Sequence, residues 1–188
     1  MNAQQILTVW EKASVPALAQ ASRALREFSG LDFAVQETAV TSIAWNTMAE
    51  RLQRKVTNPL YVIHLGAQGL FRAHILLLFS DTNSQRLVGA MVGEEVSLPL
   101  DELGESALAE VGNVVGTAFL NVFSDIFRVV WEPTPPQVRL TTATALTEDI
   151  APGTTVLLTE AMFQVTGEAV FGEIVVIPTL ETVGMSRP

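Results

Sequence analysis

The chain has 188 residues, 48% of them hydrophobic, a formal net charge of -9 and a pI near 4.6. That length suits one ordinary domain, or two fused half-domains of about 100 residues each. The acidity disfavours nucleic acid, whose phosphates it would repel. The absence of cysteine excludes disulfides, a thiolate nucleophile and a cysteine zinc site. No apolar run reaches the ~18 residues of a membrane span, and MNAQQILTVWEKASVPALAQ has no positive region ahead of an apolar one. Neither membrane insertion nor secretion is therefore expected, and the chain reads as cytoplasmic.

Apolar residues recur at helical spacing from about Ile6 to Phe28, with Pro16 expected to kink or break the helix. Strand-like runs follow at Phe33 to Trp45, Leu60 to Gly66 and Leu70 to Phe79. The last contains ILLLF, apolar on both faces as a central strand requires. Ser80-Asp81-Thr82 can cap a short helix through Met91, and Gly93 to Pro99 reads as a linker. Leu103 to Phe127 is helical again. Val129 to Ala145 is strand-like around the interruption Pro133-Thr134-Pro135-Pro136. Thr154 to Val165 and Ala169 to Pro178 are further strands, before a short polar tail from Thr179.

The order of elements repeats. A shift of 99 residues carries Glu11 onto Glu110, Phe28 onto Phe127, and Ile75-Leu76-Leu77-Leu78 onto Ile174-Val175-Val176-Ile177. One offset that aligns a helix and a distant strand points to internal duplication. The expected fold is α+β: one domain over residues 1–188, made of two pseudo-repeats of about 1–99 and about 100–188. Their antiparallel strands share a sheet, with helices packed on one side.

Within the second long helix, the stretch ESALAEVGNVVG carries two glycines, and an interior glycine costs about 1 kcal/mol relative to alanine. At 100° per residue, Leu103, Ala107, Val111, Val114 and Ala118 form an apolar stripe about 80° wide, the expected core face. Ser106, Glu110, Asn113 and Thr117 form a polar stripe about 60° wide beside it. Ala109 and Gly112 fall further round, where the wheel leaves the backbone open to close approach by another body. Two readings stand at this point. Either Asn113 caps a helix end marked by Gly112 and Gly116, with Glu110 solvated, or the polar edge is a site.

The pattern Ser106-x-x-x-Glu110-x-x-Asn113, then twenty-two residues, then Pro136, resembles the signature of the CheC/CheX/FliY chemotaxis phosphatases. ESALAEVGNVVGTAF, GLFRAHILLLFSD and AVFGEIVVIP look similar to that family's helix and strands, and the family shows the same duplication. The resemblance implies a hydrolase acting on the aspartyl phosphate of a CheY-like receiver domain in two-component signalling. It implies that Asn113 orients the attacking water and that Glu110 docks to the receiver's lysine, with Ser106, Gly112 and Pro136 in support. It implies no metal or cofactor held by this chain, since the receiver supplies Mg²⁺. It also allows CheD as a partner, and a non-catalytic alternative like the FliM middle domain.

The first half departs from the signature. The 99-residue shift takes Ser106, Glu110, Asn113 and Pro136 to Leu7, Glu11, Ser14 and Glu37. Glu11 and Ser14 would mark a degenerate site, leaving one working site in the second half. His64 and His74 lack the i, i+4 spacing of a zinc motif and read as packing histidines. No Walker A, Rossmann or G-x-S-x-G pattern occurs.

Overall fold

A computed structural model describes residues 3–55, 59–69, 72–149, 155–167 and 171–179. Leu70, Phe71 and the tail from residue 180 lie outside the described residues. In chain order the elements are α1 (Ala3–Ser29), β1 (Phe33–Ala44), α2 (Trp45–Lys55), β2 (Leu60–Gln68), β3 (Arg72–Ser80) and α3 (Asp81–Val92). They continue with α4 (Glu102–Phe127), β4 (Glu132–Pro133), β5 (Gln137–Thr141), α5 (Ala143–Asp149), β6 (Thr155–Val165) and β7 (Phe171–Thr179).

The strands form one antiparallel sheet in the order β1-β6-β7-β3-β2, with β4 and β5 both pairing along the outer edge of β2. The ILLLF run lies in β3, between β2 and β7. Its residues are buried on both faces, which is why no polar alternation interrupts it. Along β2, Tyr61, Ile63 and Leu65 face the larger core while Leu60 and Val62 face the other side.

The larger core is closed by α1, α3 and α4 on one face of the sheet, as the sequence implies. Trp10 near the start of α1 packs on Phe123 near the end of α4, with ring centroids 4.5 Å apart. The short helices α2 and α5 cover part of the opposite face through Met48, Ala143 and Leu146. α2 fills the stretch after Trp45 to which the sequence assigned no element, and α5 begins within the last residues of the strand-like run Val129 to Ala145.

Pro16 does not divide the first helix: α1 is a single helix with Pro16 inside it, on its exposed face. An exposed proline leaves the carbonyl one turn back free to bond water, so the helix can continue. Ser80 caps α3 by accepting the Asn83 N–H, and Gly93 closes it at φ 80°. α4 is the one described helix long and apolar enough to cross a membrane, and half of its most apolar stretch is buried in the core.

The elements recur at the offset seen in the sequence. α1 starts at Ala3 and α4 at Glu102, while β3 runs Arg72–Ser80 and β7 Phe171–Thr179. Moreover, β1 pairs with β6, and β4 and β5, which together occupy the positions shifted from β1, pair with β2.

Candidate functional site

α4 begins at Asp101, whose carboxylate accepts the Gly104 N–H at 2.9 Å, with Glu102 and Glu105 in the first turn where the helix dipole favours negative charge. The helix is continuous to Phe127, so Asn113 sits in its middle and caps nothing.

The face that α4 buries differs from the apolar stripe expected from the wheel. Leu108, Val111, Val115, Phe119 and Phe123 point into the core, together with Gly104, Gly112 and Gly116. Leu103 instead is 63% exposed. Gly112 is not open to solvent. A β-carbon there would overlap Ile63 Cγ2 of β2 and lie 3.4 Å from Pro136 Cβ. At Gly116 it would lie 2.9 Å from Leu65 Cδ2. The glycines therefore bring the helix backbone down onto β2. The wheel misplaced them because it ranked residues by hydropathy, whereas the contact with the sheet selects for smallness. Gly112 supports the site from beneath and offers no surface to a visitor.

That seating rolls the polar edge outward. Ser106, Glu110 and Asn113 are exposed and Thr117 is half-buried. Asn113 and Glu110 form no hydrogen bond or ion pair with the described residues, so carboxamide and carboxylate are both presented to solvent. Opposite them stands the proline-rich turn between β4 and β5. Ser106, Ala109, Glu110, Asn113, Pro133, Thr134, Pro135 and Pro136 together line an open groove of about 410 Å³. Residues spread over thirty positions of sequence thus converge on one concave surface. Pro133, Thr134 and Pro135 join the four signature positions there. The sequence offered a signal for them in the unusual density of prolines, but it read only as an interrupted strand.

The equivalent positions of α1 are arranged differently. Ser14, 99 residues before Asn113, is fully buried. Its hydroxyl donates to the Trp10 carbonyl at 2.8 Å and lies 3.2 Å from Thr159 Oγ1. Trp10 donates its indole N–H to the same Thr159 hydroxyl at 2.7 Å. α1 buries Trp10, Ser14 and Leu18 and exposes Lys12, Pro16 and Ala19, whereas α4 buries the counterparts Val111, Val115 and Ala118. α1 is thus rolled about its axis relative to α4. Glu11 stays exposed; the side chains of Leu7 and Glu37 lie outside the described residues.

The histidines sit elsewhere. His64 on β2 and His74 on β3 are half-buried on the sheet face opposite α4, joined by a 2.9 Å contact between His64 Nε2 and His74 Nδ1. Burial lowers the His74 pKa below its ordinary value. Among the described residues no group of three or more His, Asp or Glu side chains gathers to hold a metal.

No family model and no curated protein matches the sequence. Among solved structures, FliY from Thermotoga maritima is similar with a TM-score of 0.73 and 16% identity, covering 95% of this chain and 91% of that one. The FliM middle domain from H. pylori is similar with a TM-score of 0.68 and 11% identity, covering 96% and 94%. A structure of the CheX–CheY–BeF3–Mg²⁺ complex from Borrelia burgdorferi matches with a TM-score of 0.61 and 18% identity, covering 87% and 94%. The chain has the α+β fold shared by the CheC-like, CheX, FliY and FliM middle-domain proteins.

Proposed function

We propose that this protein is a cytoplasmic phosphatase for a CheY-like receiver domain, working through one site on α4 and built from two duplicated halves. The observation that carries the proposal is the convergence of Ser106, Glu110, Asn113 and Pro136 on one groove, with Asn113 exposed in mid-helix and its amide uncommitted. The likeness in fold to a structure holding CheX with CheY supports the choice of partner.

An aspartyl phosphate is a reactive mixed anhydride, so the chain needs no covalent nucleophile. It needs a water held in line with the phosphorus. A carboxamide suits that task, since its oxygen accepts a hydrogen bond from the water while the group carries no charge to repel the phosphoryl oxygens. Water attacks phosphorus, the bond to the receiver's aspartate breaks, and inorganic phosphate leaves. Glu110, one turn back on the same edge, pairs with the receiver's lysine. Mg²⁺ belongs to the phosphorylated receiver. Asn113→Ala should abolish accelerated decay of the phosphorylated receiver while binding persists; full activity in that variant sinks the proposal.

The FliM-like fold likeness favours a second reading, a non-catalytic binding module. It calls for receiver or partner binding with no change in the lifetime of the phosphoryl group.

A further inference from the structure

We infer that Thr134 is a positioning residue, which fixes the proline wall of the groove at a set distance from Asn113 by clamping it to Gly66. The inference rests on the phosphatase reading above for its functional part. The wall is a bulge. β2 pairs with β4 through Ala67–Pro133 and with β5 through His64–Gln137, so Leu65 and Gly66 face three residues, Thr134 to Pro136. Three of the four residues from Pro133 to Pro136 are prolines and have no N–H to give the sheet. Thr134 makes both bonds instead. Its N–H donates to the Gly66 carbonyl at 2.8 Å, and its Oγ1 accepts the Gly66 N–H at 2.9 Å.

Gly66 is suited to this contact. A β-carbon there would lie 3.2 Å from Thr134 Cγ2 and press the wall outward. The clamp sets where Pro136 stands, and Pro136 in turn lies over Gly112, next to Asn113. Thr134 sits within hydrogen-bonding reach of Gly66 and takes no part in the chemistry. Its contribution is the width of the groove beside Asn113. Losing it should therefore weaken docking and leave the step at Asn113 intact.

The test compares wild type, Thr134→Val, which keeps the shape without the acceptor, and Thr134→Ser, which restores the acceptor. Amide exchange at Gly66 is measured by NMR. KM and kcat are measured for a CheY-type receiver phosphorylated by acetyl phosphate, and Kd for the same receiver carrying BeF3 and Mg²⁺. In Thr134→Val, exchange at Gly66 should quicken about two- to tenfold, the worth of one net hydrogen bond. KM and Kd should rise by a similar factor with kcat held, and Thr134→Ser should restore all three. Unchanged exchange at Gly66, or quickened exchange with unchanged KM and Kd, overturns the inference. If wild type neither binds nor dephosphorylates a receiver, the phosphatase reading falls separately, and exchange at Gly66 alone decides the clamp.

Discussion

At Gly112 two effects oppose one another. Alanine would gain about 1 kcal/mol of helix propensity, yet its methyl would enter the space of Ile63 Cγ2. Overpacking at such a contact costs about 1–3 kcal/mol, so Gly112→Ala should lower the unfolding free energy, read as an earlier urea midpoint with unchanged slope. A later midpoint would show that helix and sheet can part without cost. His74 makes a pH-dependent contribution. Burial lowers its folded pKa below the ordinary 6.5, so the folded protein binds fewer protons there than the unfolded chain. Stability from this source is complete above that value and is lost as pH falls from it toward the lowered folded pKa. Thermal unfolding should show this decline, and His74→Gln should flatten it; an unchanged slope in the variant would contradict it. The wheel places Asn113 and Glu110 on one polar edge, and the exposure of both bears out that placement; only the resemblance out to Pro136 marks the edge as a site. The inward turn of Gly112 was not legible in the sequence, because a wheel shows which residues share a face but not which face a sheet accepts.

The two long helices carry the same offset and opposite fates. α4 lies on β2 through its glycines and turns its polar edge to solvent, whereas α1 is rolled so that Ser14 meets Thr159. Restoring the motif by one substitution should therefore fail. Ser14→Asn places a larger polar group in a fully buried slot and should destabilise the fold by about 1–3 kcal/mol with no gain in phosphatase activity. Glu11→Ala should leave receiver dephosphorylation close to wild type, and Glu110→Ala should lower it; equal losses would show that α1 also serves a receiver. The sequence places Leu7, Glu11 and Ser14 at the shifted positions. It could not reveal the roll, which depends on Trp10 finding a hydrogen-bond partner on a strand 149 residues away.

Across the whole molecule, the sheet reads alike from either edge: β1 of the first half pairs with β6 of the second, and β4 and β5 of the second pair with β2 of the first. The helix-then-strands order and the central position of ILLLF could be read directly from apolar patterning. The exchange of β1 and β5 could not, because pairing between strands far apart in sequence leaves no local signal. Nor could the convergence of the proline turn on α4, which the register of β4 and β5 on β2 brings about. That convergence is the observation on which the proposed chemistry on a receiver rests. The most direct test follows the decay of a phosphorylated CheY-type receiver alone, with the wild-type protein, and with Asn113→Ala. Acceleration by wild type that is lost in Asn113→Ala, with binding to the BeF3-loaded receiver retained, is the expected result. Equal decay in all three, or equal acceleration by both proteins, would contradict the assignment of Asn113 as the catalytic residue.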